Sequence, residues 1–439
     1  MGARGGVQYG ARRTLEVTPL GGRCTEGVST MRSLGSLGLI LVLVGGGALG
    51  SACAGAHEGV DGAGAAPWGR GAHEGHGALV EGERVTAGQR RSGAASSEVS
   101  GAVGTRMPTP ARARGAVAVA VNQGCEGCHE GEARAWRASL HHRANTEPAY
   151  QRAFALEPLP FCRGCHAPEG VPTEEAPEAV GKLGVGCVTC HVTGDAPGML
   201  ARGARLAELP VLAAPWRGAS APPAAPHGVV RDARFGGAEA CAGCHEFAFP
   251  TAPGRRLSEL MQSTISEHRA SASAGQSCAG CHMPEGPDGR RRHAFVGSRD
   301  EGFVRSAVQV SARRVSATGV EVTLSPANSG HAFPTGDLFR RLSVSAEALG
   351  PDEMVLGGAE RFLARHFELR AGQSGRRLVS DDRVHGTPVV VALDVGDAGV
   401  GREIGWQVTY QRVAHPNGVE ARAASVEGEV RVASGRLAP

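Results

Sequence analysis

The sequence predicts two unlike parts: a mostly irregular, partly α-helical segment over residues 120–302, then an all-β, sandwich-like domain over 303–439. Two observations predict this. Ten of the twelve cysteines fall between residues 120 and 300, where apolar periodicity is weak. Beyond Phe303 the pattern changes: Val308/Val310, Val320/Val322/Leu324, Leu342/Val344/Ala346 and Trp406/Val408/Tyr410 alternate with other residues. That period of two is the mark of half-buried strands, and Ala317-Thr318-Gly319 reads as a turn between two of them.

Two segments precede these parts. Met31-Arg32 is followed by the apolar run Leu37–Val44 and small residues up to Ala52-Cys53. That order is an export signal, and the run is short for a membrane span. Leu49-Gly-Ser-Ala-Cys53 resembles a lipoprotein cleavage box, with Gly50 standing where the box usually has leucine. Cys53 would then carry the lipid. Residues 1–53 are read as an upstream extension plus signal. Met31 is a candidate start, which would leave Cys24 outside the protein. Residues 54–119 are rich in Gly, Ala, Ser and Arg and are expected to form a flexible tether, with His57, His73 and His76 solvated. The expected location is the periplasm, outer membrane or cell surface.

Composition narrows the choice further. Aromatic residues are 4% of the chain, against 66 glycines and 26 prolines, so a core built from side chains alone would be thin. A net charge of +3 gives no case for a nucleic-acid partner.

Within 120–302, helices are expected over Glu132–Ala144 and Arg256–Ala270, with Pro-rich breaks at 158–177 and 215–226. Five times this part reads Cys-x-x-Cys-His. The units are Cys125/Cys128/His129, Cys162/Cys165/His166, Cys187/Cys190/His191, Cys241/Cys244/His245 and Cys278/Cys281/His282. This is the attachment signature of c-type haem. Two thiols at that spacing reach the two vinyl groups of one porphyrin, and the next residue brings its imidazole to the iron. Zinc needs four ligands and no histidine directly after each pair. Disulfides suit an exported chain, yet placing all ten cysteines in such units makes an odd framework. Five covalent haems c are therefore expected. Their flat apolar surfaces would make up for the thin composition, so residues 120–300 are not expected to fold without them.

Each iron has a second axial position, and function depends on what fills it. Apart from the motif and tether histidines, nine remain: His141, His142, His227, His268, His293, His331, His366, His385 and His415. Trp136-Arg-Ala-Ser-Leu-His-His-Arg-Ala144 resembles the W-x-x-S-x-H element of multihaem cytochromes. These are related to the tetrahaem cytochromes of ammonia oxidisers and, more distantly, to octahaem hydroxylamine oxidoreductase. Segments 226–228, 278–284, 292–297 and 330–336 are similar to others recurring there. The resemblance implies that His141, His227, His293 and His331 are distal ligands, with His142 the competitor of His141. A loose internal duplication, with 37 residues between motif starts in both halves, nominates His268 as a fifth. His366, His385 and His415 are expected to be solvated or structural, and Met199 and Met261 are weaker candidates. In Gly330-His-Ala-Phe-Pro-Thr-Gly336, Pro334 would stiffen the loop. The two glycines would let backbone lie close to a porphyrin, so that His331 clips the tail onto the haem segment.

The first reading is an exported, membrane-anchored electron carrier whose closely packed bis-histidine haems pass electrons between transiently docked redox proteins. The alternative is an oxidoreductase acting on a small nitrogen or sulfur compound at one open haem. Against it, all five motifs end in histidine, where pentahaem nitrite reductases carry a lysine. Tyr150 and Tyr410, the only tyrosines after the signal, also offer no clear counterpart to the cross-linking tyrosine of hydroxylamine oxidoreductase. A third reading is a scaffold whose β-domain binds a partner. The haem count is checked by intact mass: the holo-chain should carry five haem increments. Replacing both cysteines of any one motif by serine should remove one.

Overall fold

Each Cys-x-x-Cys-His unit winds into a helical turn. Residues i, i+3 and i+4 share one face of a helix, so both thiols and the imidazole emerge on the same side. In chain order the helices are α1 (Ala116–Cys128), α2 (Glu130–Arg137), α3 (Pro148–Leu156), α4 (Pro160–His166) and α5 (Glu178–Leu183). They continue with α6 (Cys187–His191), α7 (Glu239–His245), α8 (Thr264–Arg269), α9 (Cys278–His282) and α10 (Glu301–Ser306). The motifs lie on α1, α4, α6, α7 and α9, with His129 at the C-terminal cap of α1. Two short strand pairs accompany them: β1 (Pro210–Ala213) with β2 (Gly228–Arg231), and β3 (Glu246–Ala248) with β4 (Leu260–Ser263). The structure is a computed structural model that describes residues 107–193, 208–215, 225–249, 259–369, 376–414 and 424–439. All of these lie in one unit, Ala94–Pro439. The export segment with Cys24 and Cys53, most of the expected tether with its three histidines, Met199 and His415 lie outside the described residues. Among the described residues no helix is long and apolar enough to cross a membrane.

Several local expectations are corrected. The helix expected over 132–144 stops at Arg137. The chain turns there because the His141 carbonyl accepts from Val185 N–H at 2.8 Å, and Gly184 lies against this turn. A Cβ at Gly184 would stand 2.4 Å from His142 O and 2.5 Å from His141 O, and φ is +57°. Only glycine suits that position. In the second expected helix, residues 260–263 form β4 instead, and α8 begins only at Thr264. The break at 158–177 contains α4, whose Pro160 occupies the first turn, where a missing N–H costs nothing.

The structured part also begins before residue 120. Ala111 N–H donates to Gly164 O at 2.8 Å. Arg114 grips Glu169 through Nε at 2.7 Å and Nη2 at 2.6 Å, and donates to Val192 O at 2.7 Å. Thr189 Oγ1 also donates to Glu169, at 2.7 Å. The two charged side chains are 3% and 0% exposed. Residues 111–119 thus belong with the haem segment, and this buried pair ties the second and third motifs together.

The tail is mostly strands. β5 (Val308–Arg314), β6 (Gly319–Pro326) and β11 (Val389–Asp394) form one antiparallel sheet in the order β11-β6-β5. β7 (Arg340–Leu349), β8 (Val355–Leu363), β12 (Ile404–Val413) and β13 (Val426–Leu437) form another in the order β13-β12-β7-β8. β9 (Arg365–Leu369) and β10 (Arg376–Asp381) pair separately. The turn at 317–319 joins β5 to β6 as expected. Val320, Val322 and Leu324 of the first sheet share one buried cluster with Leu342, Val344, Ala346 and Val408 of the second. Among the described residues that cluster holds 20 buried side chains, whereas the main cluster of the haem segment holds six. Protein side chains therefore fill the tail and only thinly fill the segment with the motifs. Breaking the Arg114–Glu169 pair leaves a buried charge unmatched. Glu169→Ala is expected to cost about 3 kcal/mol, read as a lowered midpoint of denaturant unfolding.

Candidate haem centres

Three of the five motif imidazoles are oriented by backbone carbonyls. Nδ1 of His166 donates to Ala144 O at 2.6 Å, that of His191 to Leu212 O at 2.8 Å, and that of His282 to Val296 O at 2.7 Å. His245 Nδ1 instead meets the Gln262 amide nitrogen at 3.2 Å. Three expected distal residues also turn Nδ1 to a carbonyl: His227 to Gly228 O at 3.2 Å, His293 to Arg291 O at 3.0 Å and His331 to Ala332 O at 2.9 Å. Nδ1 of His141 is buried without a partner. A ring that donates through Nδ1 keeps the Nε2 lone pair for a metal, which is the arrangement of metal-ligating histidines. Burial favours the neutral ring in six of these histidines. It pushes His141 down to about 3, and His191 and His245 to about 4. It lowers His166, His293 and His331 as well.

Four pairs of rings face one another. Centroids are 6.3 Å apart for His129–His227, 6.1 Å for His141–His245, 6.2 Å for His191–His293 and 6.1 Å for His282–His331. Two imidazoles bound to one metal from opposite sides, with metal–nitrogen bonds of about 2 Å, stand roughly 6 Å apart centroid to centroid. The spacing suits an iron between each pair.

The thiols are placed less uniformly than the rings. The ten described cysteines are all free. Cys125, Cys162, Cys165, Cys187, Cys190, Cys241, Cys244 and Cys278 are half-buried, whereas Cys128 and Cys281 are exposed. The reason is local. Cys281 sits beside the exposed Gly280 on α9, a single turn of five residues whose imidazole turns inward while its second thiol stays at the surface. Cys128 is likewise flanked by the exposed Gly127 and His129 at the end of α1. A porphyrin joined at Cys281 or Cys128 would therefore have one edge at the protein surface. Burial pushes the Cys187 and Cys190 thiols up to about 12, which favours the neutral thiol. Among the described residues no group of three or more His, Cys, Asp or Glu side chains is placed to hold a metal ion by itself. The donor set therefore suits a covalently attached haem, which supplies iron with four in-plane nitrogens and reversible one-electron chemistry.

His268 does not join the set. Its Nδ1 meets Gly330 O at 2.8 Å and its Nε2 meets Gln276 O at 3.0 Å, so both ring nitrogens are occupied by carbonyls. The duplication that nominated it repeats an order of elements, and an order of elements does not fix a direction in space. His142 packs edge-on to Trp136 at 4.5 Å, leaving His141 to face His245. His366 bonds Asp382 at 2.9 Å and His385 reaches Glu267 O at 3.2 Å, both structural. The glycines of 330–336 also take other roles. Gly330 abuts Ser273 and His268, and a Cβ on Gly336 would meet Arg340 Nε at 2.7 Å.

His166 differs from the other motif histidines. The aromatic ring against it is Tyr150, stacked at 3.8 Å and 7°. The Tyr150 hydroxyl is buried without a hydrogen-bond partner, and burial pushes its phenol up. Among the described residues no second histidine ring packs against His166.

The pairs fall into two groups. His191 lies close enough to His129 and His227 to feel their charge, and His245 to His282, His331 and His166. Phe295 joins the groups, edge-on to His141 at 4.2 Å and to His293 at 5.8 Å. Its φ of +51° is unusual for so large a residue. In the sequence Phe295 has no role and Tyr150 enters only as a possible cross-linking tyrosine, not as the ring stacked on His166. The only available signal was the repeated His-Ala-Phe at 293–295 and 331–333.

The five motifs and the paired imidazoles are the arrangement that several covalently attached haems would use. A family model described as cytochrome c554 and c-prime matches residues 124–192, which contain the first three motifs. A penta-heme cytochrome c552 from Thermochromatium tepidum is similar in structure, at 19% identity and a TM-score of 0.53. The match covers 74% of this chain and 100% of that one. At that identity the likeness is one of fold. No curated protein matches the chain. The matches support a multihaem c-type cytochrome with covalently bound haem. The relation to hydroxylamine oxidoreductase rests on the motif resemblance alone. Because His268 spends both nitrogens on carbonyls, His268→Gln should leave the spin state of every haem unchanged in the ferric EPR spectrum.

Proposed function

We propose that this chain is an exported, membrane-anchored pentahaem cytochrome c that passes electrons between redox partner proteins. The observation that carries this reading is the set of four facing imidazole pairs, each at the spacing of two axial ligands. In it His129, His191, His245 and His282 are proximal ligands, and His227, His293, His141 and His331 are their distal partners. His166 is the proximal ligand of the fifth haem. Bis-imidazole iron changes little between oxidation states, and hydrogen bonds and burial tune its potential. The two groups of pairs, joined at Phe295, give a continuous row for transfer. A β-sandwich tail, supported by the core that the two sheets share, lends His331 to the fifth motif. Export and anchoring rest on the apolar run and Cys53 in the sequence.

A second reading is favoured by His166 alone. With Tyr150 rather than a histidine ring against it, its haem is the one where a small nitrogen or sulfur compound would bind. Ferric EPR separates the readings. The carrier reading expects low-spin signals from the four paired haems, with His331→Ala turning one of them high-spin. If that variant changes no spin state, His331 is not a ligand. Five low-spin signals would sink the oxidoreductase reading, and a high-spin signal altered by nitrite or hydroxylamine would favour it.

A further inference from the structure

We propose that Glu267 and Arg383 form a clamp that fixes the 330–336 loop and so holds His331 opposite His282. The clamp deepens the ligand assignment of His331 and rests on it for its functional meaning. The two side chains come from opposite parts of the chain: Glu267 from α8 of the haem segment, Arg383 from the tail just after β10. Arg383 Nη2 donates to Glu267 Oε1 at 2.8 Å. Both residues are buried, at 7% and 8% exposure. The carboxylate is fully engaged, accepting also from Ser263 Oγ at 2.6 Å and Thr335 Oγ1 at 2.6 Å. Arg383 is engaged too. It donates to Pro334 O at 2.9 Å and holds Asp381 through Nε at 2.8 Å and Nη2 at 2.7 Å.

These bonds grip the loop along its length. Gly330 O accepts from His268 Nδ1 and from Ser271 Oγ at 2.9 Å. Phe333 exchanges backbone bonds with Val384 at 2.8 and 3.1 Å. Pro334 is held by Arg383 and Thr335 by Glu267. His331 is the exception. Its Nδ1 bonds only within the loop, to Ala332 O. Its ring lies 6.1 Å from that of His282 and within 11° of parallel. The loop is pinned on both sides of one imidazole that is left projecting. A buried ion pair is a weak source of stability but a good source of register, because each charge is tolerated only beside its partner. Register is what an axial ligand needs. Glu267 thus acts on the position of the ligand through the loop it holds.

The test uses the holo-protein. In Glu267→Ala, hydrogen–deuterium exchange of residues 330–336 should speed up by about tenfold or more. The haem that His331→Ala converts should become a mixture of low-spin and high-spin iron. Glu267→Gln, which keeps an acceptor but loses the charge, should show smaller effects of the same kind. If Glu267→Ala fails to accumulate as holo-protein, Thr335→Val removes one bond of the clamp and should move both readouts in the same direction. Unchanged exchange and unchanged spin state in these variants overturn the clamp. If His331→Ala alters no spin state while the loop still loosens in Glu267→Ala, the ligand assignment falls and the clamp on the loop stands.

Discussion

Paired imidazoles, held 6.1–6.3 Å apart between centroids, are the constraint that organises this chain. Three of the four pairs join residues roughly a hundred positions apart, and the chain must close each of these loops before any benefit returns. The entropy of closing such a loop is on the order of 4–5 kcal/mol. The six-residue cluster around Trp136 and Val188 is a slight source of compensating burial. A group that is covalently fixed to one end and ligated by the other closes the loop and also supplies apolar surface. The thin composition and the spacing of the histidines are therefore two aspects of one requirement.

The tail meets the same requirement in another way. Its own core is large, so it can fold from its own side chains and offer a rigid edge. From that edge it contributes one loop, and through Arg383 it contributes the charge that seats the loop against α8. The Arg114–Glu169 pair does comparable work between the second and third motifs. Both buried pairs join segments distant in sequence. Charge is used here to fix relative position where apolar packing is sparse.

This division explains what could be read from the residues beforehand. The five motifs and the alternating strands are local patterns, and their chemistry or period is visible in a few consecutive letters. The exposure of Cys281 is not, because it depends on what packs over α9 rather than on the motif itself. His141, His227, His293 and His331 were reached through resemblance, and each faces a motif histidine. His268 shows the limit of pattern. It sits on the right helix beside the right loop, yet its ring points at two carbonyls, which no spacing reveals. Phe295, Tyr150 and the Glu267–Arg383 pair depend on contacts between remote segments and had no local signature. The expected helix over 132–144 failed for a related reason. Its propensity was adequate, but the fit of Gly184 under the His141 and His142 carbonyls overrides it.

That turn also bears on His166, which lacks a facing histidine among the described residues. Residues 141–150 serve two centres. His141 faces His245, while three residues later the Ala144 carbonyl orients His166, and Tyr150 at the start of α3 covers the face of the same ring. A strong hydrogen bond at Nδ1 makes an imidazole a better donor to its metal. The stacked phenol restricts rotation of that ring. The His166 ring is thus held from its own side as firmly as the paired histidines are held from two. Any shift of this short segment would be felt at both His245 and His166. The two histidine sites then share one mechanical support, ten residues of backbone long.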